Sequence, residues 1–448
     1  MPGNSERVRR VQLLRLVCRF WACTTLIGLL TGGSLRAQGL GNSPYSGLGI
    51  GEFYGQATAS NLGMGGVGIS YANPFYLNLQ NPALLARRTR FTVFEVGLLG
   101  QSKQLGQNVS GRSQSQQSSG LNLGYLALAF PISPRWTTSI NLRPYTYTDY
   151  ATSGLQQVPG TNFTAQNSYS GKGGVNKASF ANGVRLLKNV YVGVEGSFLF
   201  GNTVKTADAR VVGGTVTGTS EPADVVVSRT DRVNYTGLVY KFGGSWRPKL
   251  TDKLTVNLGA TYDPSVRIGA KQTDVYQQIS LAGSPLSTPD TVSNPTGKAT
   301  LPQQIQAGFT VEYNNRLVVG IDAGTQTWSQ FRNVTNQTDN LRDSRYIAAG
   351  FEFTPKPTST KYRDLITYRA GFQVIQTPYT VAGTRIREAN VSVGFSLPLG
   401  AYYVNQLNLA LIGGQRGVLT GGQLQERYLK LALGVSLNDW WFRKPVLD

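Results

Sequence analysis

The 448-residue chain contains no histidine. That removes the usual Ser-His-Asp and Cys-His hydrolytic arrangements and the commonest metal ligand. Its two cysteines, Cys18 and Cys23, both lie near the N-terminus, so a chain trimmed beyond them has neither a disulfide nor a thiolate. Acidic residues are scarce, with 23 Asp and Glu against 43 Lys and Arg, for a net charge of +20. Beyond the first 40 residues no apolar run approaches the ~18 residues of a membrane-spanning helix. These absences leave no cofactor or metal site to assign and argue against an enzyme.

The first 37 residues read as a secretory signal peptide. Arg7, Arg9, Arg10, Arg15 and Arg19 form a basic flank, and an apolar run follows from Phe20 to Leu30. Gly32, Gly33 and Ser34 lead to a cleavage position near Ala37. The apolar run is about a dozen residues, short of the ~20 needed to span hydrocarbon. After residue 37 an excess of +15 remains, scattered through polar stretches. Scattered charge suits a surface facing outer-membrane lipid and lipopolysaccharide headgroups. It does not suit nucleic acid, which calls for basic clusters interleaved with aromatics.

What the exported chain does have is alternation. Leu429, Leu431, Leu433, Val435 and Leu437 alternate with Tyr428, Lys430, Ala432, Gly434 and Ser436. Val190, Val192, Val194, Phe198 and Phe200 alternate with Tyr191, Glu195 and Ser197. Successive side chains of a strand point to opposite faces, so such segments have one apolar and one polar wall.

The connections separate a barrel from a sandwich. Short links at 131–135, 187–189, 247–252, 313–316, 354–362 and 398–404 alternate with longer polar ones. The long ones fall at 102–120, 150–174, 202–231, 267–300, 329–344, 376–388 and 415–425. Regular alternation of short turns and long loops marks an outer-membrane barrel with periplasmic turns and extracellular loops. Thirteen links predict an all-β, transmembrane antiparallel barrel of about fourteen strands over 90–437. The expected strand starts are 90, 121, 136, 175, 190, 232, 253, 301, 317, 345, 363, 389, 405 and 426. Trp136 and Trp246 sit beside short turns, and Trp440 and Trp441 follow the last strand, as an interfacial aromatic girdle requires.

Parity places Glu95, Arg143, Glu195, Lys241, Glu312, Asp322, Glu352, Arg369 and Lys430 on the lumen side. A mid-depth Arg or Lys on the lipid face would cost ~2–4 kcal/mol, so inward placement follows from energetics. Inward Gly193, Gly259, Gly308, Gly320, Gly371, Gly394 and Gly434 either leave room for a plug or ease curvature.

Residues 38–89 do not read as strands and form a Gly-rich segment suited to close packing inside something else. They carry Ser43-Pro44-Tyr45-Ser46-Gly47-Leu48-Gly49-Ile50-Gly51, Met64-Gly65-Gly66 and Asn81-Pro82-Ala83. With the Gly171–Asn176 stretch and the Gly434–Phe442 ending, these motifs resemble a divergent branch of the FadL/TodX-type outer-membrane transport proteins. The resemblance spans nearly the whole exported chain. It implies a fourteen-stranded barrel and an N-terminal hatch that plugs the lumen. Ser43, Pro44, Tyr45, Met64, Gly65, Gly66, Asn81, Pro82 and Ala83 would belong to that hatch. It also implies passage of hydrophobic small molecules past the hatch or through an opening in the wall.

Residues 438–448 depart from the family by continuing past the last strand. They are expected to form a periplasmic tail, a candidate docking element for an envelope protein. The competing expectation is therefore a barrel that serves as a structural or assembly partner in an outer-membrane complex. An unplugged general porin would need no Gly-rich preface.

Overall fold

The computed structural model describes residues 40–87, 91–109, 112–213, 225–381, 383–400, 403–419 and 424–439. The expected signal peptide and Trp440 and Trp441 lie outside these residues, as does nearly all of the expected tail.

Fourteen antiparallel strands close on themselves. They are β1 (Thr92–Val109), β2 (Arg112–Ser133), β3 (Trp136–Gln157), β4 (Thr164–Leu187), β5 (Val190–Gly213) and β6 (Val225–Trp246). β7 comes in two pieces, Leu254–Asp263 and Val266–Ser280, and β8 in three, Asp290–Ser293, Thr296–Leu301 and Gln304–Tyr313. Then follow β9 (Leu317–Gln326), β10 (Ser344–Phe353), β11 (Thr367–Val381), β12 (Thr384–Leu399), β13 (Asn405–Arg416) and β14 (Gln425–Asp439). β14 pairs with β1 from Asp439↔Thr92 to Gln425↔Gly106, which removes the open edge that hydrocarbon would not tolerate. Among the described residues no helix is long and apolar enough to cross a membrane.

The outward face of the wall is a belt of exposed Leu, Ile, Val and Phe, including Ile140, Phe180, Phe242, Phe309, Ile347, Phe372, Val391 and Leu429. Trp136 and Trp246, both exposed, stand at the short-turn end. The opposite end is ragged. β4 and β5 run 24 residues, whereas β9 and β10 run 10.

Several expected loops are in fact strand. Nearly all of the 102–120 stretch belongs to β1 and β2, which pair as far as Val109↔Arg112. Most of 150–174, 202–231, 267–300 and 376–388 likewise extends the neighbouring strands, so β2, β4 and β12 begin well before 121, 175 and 389. Above the hydrocarbon both faces of a strand are wetted, so hydrophobic alternation vanishes although the ladder continues.

Among the described residues, two ladders are interrupted while their strands continue. β2 and β3 pair only from Leu126↔Leu142 to Ser133↔Trp136, although both strands continue upward. Residues 40–54 lie in the breach. Glu52 and Phe53 pair with Tyr147 and Thr146 of β3, a short strand inside a segment that sequence had left strandless. Ser43 N–H donates to the Asp149 carbonyl at 2.8 Å, Asn42 brackets Ala151, and Asn42 N–H donates to Ser118 Oγ of β2 at 3.0 Å. The second break lies between β6 and β7, whose ladder stops at Thr236↔Gly269 and resumes at Phe242↔Tyr262.

Residues 55–87 cross the lumen with a single turn of helix (Ala59–Gly63) and a 3-10 turn (Pro82–Arg87). All seven of the inward glycines lie against this segment. A β-carbon added at Gly193 would strike Pro82 and Ala83; at Gly259, Ile69 and Ser70; at Gly371, Met64 and Gly65. Gly308, Gly320, Gly394 and Gly434 would meet Ile69, Val67, Gly63 and Ala59. At Gly193, Gly259, Gly371 and Gly394 segment backbone passes where a side chain would stand, while at Gly320 and Gly434 side chains fill that space.

Gly371→Val should therefore dislodge residues 63–66 at a cost of about 1–3 kcal/mol, the usual range for overpacking. A lower temperature for loss of the compact, fast-migrating form in heat-modifiability gels checks this; an unchanged transition would refute the packing argument.

Candidate functional site

The lumen is polar because the apolar faces are spent on lipid, and its charges must be met inside the protein. Each inward carboxylate takes hold of the inner segment or of a neighbouring cation. Asp322 on β9 accepts the backbone N–H groups of Gly68 and Ile69 at 2.7 and 2.9 Å. Glu95 on β1 accepts Leu77 N–H at 2.8 Å and the Tyr125 hydroxyl at 2.6 Å. Glu352 on β10 accepts the Tyr71 and Tyr76 hydroxyls and the Asn73 amide. It also pairs with Arg369 of β11 at 2.8 Å, and that guanidinium lies over the Tyr76 ring. Glu312 on β8 pairs with Arg87 of the segment and with Arg247.

Glu195 on β5 pairs with Lys177 at 2.6 Å and, more loosely, with Arg143 at 3.8 Å. Lys241 on β6 reaches Asp263 at 3.4 Å, the Gln56 side chain and the Gln80 carbonyl. Lys430 lies over the Tyr428 ring. Eight of the nine charges expected inward are buried, and Lys430 is half-buried. Of these, Asp322, Glu95, Glu352, Glu312 and Lys241 touch the inner segment directly, while Arg369 touches it through the Tyr76 ring.

The densest node escaped parity altogether. Arg416 on β13 donates to Glu52 of the segment at 2.6 Å, to Glu388 of β12 at 2.8 Å and to Glu426 of β14 at 3.3 Å. Ser43 Oγ donates to Glu426 at 2.6 Å, and Lys103 lies 3.5 Å from the same carboxylate. Lys103, Glu388 and Arg416 all fall in stretches that sequence assigned to loops. Once β1, β12 and β13 are extended, alternation would have placed them inside.

Among the residues expected from motifs, Ser43 and Tyr45 sit at this node. Tyr45 donates to the Leu424 carbonyl at 2.7 Å and, like Ser43, is buried. Pro44 opens the 3-10 turn that carries both. Met64, Gly65 and Gly66 lie against β10 and β11, and Gly65 N–H donates to Ser392 Oγ of β12 at 2.9 Å. Asn81 donates to the Ile69 and Gly244 carbonyls, and Pro82 and Ala83 press on Gly193.

The segment lines two cavities that have no lining residue in common. Toward the short turns lies a vestibule of about 730 Å³, lined by Tyr71–Tyr76, Arg87, Arg247, Glu312 and Glu352. On the other side is a chamber of about 320 Å³, lined by Phe53, Tyr54, Leu62, Arg143, Leu301 and Ile375, among others. Above the chamber, Tyr45, Ile50, Leu199, Tyr235, Ile268, Trp328, Phe331 and Tyr379 form an apolar cluster. Phe53, Tyr145, Val239 and Leu301 belong to both the cluster and the chamber wall. No group of three or more His, Cys, Asp or Glu among the described residues has the arrangement of a metal site.

Breaking the node tests its weight. Arg416→Met leaves three buried carboxylates with Lys103, the nearby Lys430 and neutral donors. A loss of about 3–5 kcal/mol is expected, the usual cost of deleting one partner of a buried ion pair. Urea unfolding in detergent micelles reads it; a midpoint equal to that of the parent chain would show that the node contributes no stability.

Solved structures with the same architecture are outer-membrane channels. The monoaromatic hydrocarbon channel CymD aligns with a TM-score of 0.56 at 13% identity, covering 87% of this chain and 99% of that one. The toluene transporter TodX of Pseudomonas putida aligns with a TM-score of 0.54 at 16% identity, covering 87% and 99%. A FadL homologue of Pseudomonas aeruginosa gives 0.53 at 14%, covering 86% and 98%. The fold is accordingly of the FadL/TodX type, that of an outer-membrane barrel, with sequence far diverged. No curated protein matches the chain in sequence. The pattern of the family described as BamG matches residues 21–448, nearly the whole length, and the chain belongs to the BamG family.

Proposed function

We propose that the protein is an outer-membrane channel for hydrophobic small molecules in which residues 40–87 are the hatch. One observation carries this reading. A segment that is not part of the ladder, apart from two residues, separates a partly apolar chamber from an open periplasmic vestibule. A solute in the chamber is shielded from water by the aromatic cluster above it, and displacement of residues 55–80 would join the two cavities. The named neighbours, a monoaromatic hydrocarbon channel and a toluene transporter, support the same substrate class.

A different observation favours a second reading, a barrel whose role is to hold other envelope proteins. The segment is gripped by at least five buried wall residues, Glu95, Asp322, Glu352, Glu426 and Lys241. Charge-assisted hydrogen bonds of this kind contribute about 1.5–3 kcal/mol each, so releasing the whole segment at once is costly. A permanently seated segment would make the barrel a solid support, with residues 438–448 as the candidate contact.

Toluene flux through lipopolysaccharide-containing proteoliposomes separates the two. The channel reading expects flux above protein-free vesicles, raised severalfold by deleting residues 55–80. Flux at the protein-free level for both forms would sink it and leave the supporting-barrel reading.

A further inference from the structure

The outer face of β10–β14 carries cations that take no part in the lumen. Arg345 of β10 lies opposite Gln376 of β11, and Gln376 lies opposite Arg387 of β12. Arg345 and Arg387 are exposed and share the parity of lipid-facing Ile347 and Val391. Neighbouring strands are ~4.8 Å apart, so the two arginines stand about 10 Å from each other across β11. Arg385, next up β12 on the same face, donates to the Gln376 side-chain oxygen at 3.2 Å. On β14, exposed Arg427 lies opposite Gln415, which in turn lies opposite Ala389, next below Arg387.

The height of this row follows from the residues beneath it. Arg345 stands directly above Ile347, Gln376 above Val374 and Arg427 above Leu429, and all three apolar residues are exposed. β10, β12 and β14 begin here, at the end opposite the short turns. The row therefore marks the level at which the apolar belt meets the headgroups of the outer leaflet. No carboxylate of the wall balances it. Glu352, Glu388 and Glu426 of these strands face inward, to Arg369 and Arg416. Asp343, just above Arg345, accepts the Ser329 N–H and hydroxyl at 3.0 and 2.7 Å. Among the described residues none of the four arginines forms an ion pair. Exposed Arg229, high on β6, shows the contrast, since it donates to both oxygens of Asp274 at 3.1 and 2.7 Å. Like charges gathered without a counter-ion repel one another, and a bound anion removes that cost.

We propose that Arg345, Arg385, Arg387 and Arg427 form a binding site for the phosphate groups of lipopolysaccharide, whose acyl chains lie along Ile347, Val374, Val391 and Leu429. A guanidinium presents paired N–H donors that match phosphate oxygens, and Arg345 and Arg387 approach the headgroup from two sides of Gln376. Phosphatidylethanolamine gains less from an all-cation site, because its own ammonium already offsets its phosphate. The site lies on the lipid face and stands whether or not the lumen conducts.

Native mass spectrometry of the detergent-solubilised full chain, titrated with bisphosphorylated lipid A, tests it. Fully dephosphorylated lipid A and phosphatidylglycerol are the comparison probes, and every variant is first checked for the compact form on gels. The double variant Arg345→Gln, Arg387→Gln should bind lipid A about tenfold more weakly, the size of one charge-assisted hydrogen bond. Arg267→Gln with Lys298→Gln removes the same charge from exposed positions on β7 and β8 and should bind as the parent does. Parental affinity in the first double variant, or equal loss in both, overturns the site; the second result leaves only a diffuse basic surface. Dephosphorylated lipid A binding as tightly as the phosphorylated form overturns phosphate recognition. Phosphatidylglycerol binding as tightly overturns lipopolysaccharide as the occupant. If the first double variant fails to fold, parental affinity in Arg427→Gln alone overturns the site.

Discussion

A wall standing in hydrocarbon must meet every backbone N–H and C=O from within the protein, and the rest of this structure answers to that constraint. It forces the closure of β14 onto β1 and makes each incomplete ladder an event that needs compensation. Between β2 and β3 the compensation is residues 40–54, which give Tyr147, Asp149 and Ala151 the partners that β2 does not. Between β6 and β7 the prolines at 264 and 302 lower the number of groups to be met. The unpaired stretch there is short and borders a cavity rather than a second strand.

The same constraint sorts the side chains. With the outward faces committed to lipid, charge can only turn inward, and once inward it must be paired or hydrogen-bonded. The wall meets that demand largely with the inner segment, whose N–H groups, hydroxyls and single carboxylate Glu52 complete the shells of Asp322, Glu95, Glu352 and Arg416. Packing and electrostatics act together here. Glycines at 193, 259, 371 and 394 bring segment backbone close to the wall, and the carboxylates between them fix its register. A barrel so organised has little empty lumen. The segment lines both a chamber and a vestibule.

The parts of this arrangement that could be read in the sequence share one property: they sit within the hydrocarbon belt, where the two faces differ most. There alternation located the strands beginning at 136, 190, 317 and 405 to the residue, and it put Glu195, Lys241 and Glu352 inside. Above the belt both faces are polar. Strands β1, β2, β4, β5, β12 and β13 were accordingly cut short, and with them went Lys103, Glu388 and Arg416. Their signal was the alternation of the preceding half-strand continued in register, which polarity alone does not display.

The residues by themselves therefore determined the class of the protein, an outer-membrane-type barrel of about fourteen strands preceded by a Gly-rich segment. Period-two alternation and the sorting of short from long links are local properties, and a local pattern is enough to specify them. Only the tertiary structure decided where the ladders fail, which inward charges take hold of the segment, and that Gly193, Gly259, Gly371 and Gly394 are footprints of its backbone. Those outcomes depend on residues hundreds of positions apart, such as Ser43 with Glu426 and Glu52 with Arg416, meeting across a closed lumen. No periodicity along the chain records which residues face one another across a barrel.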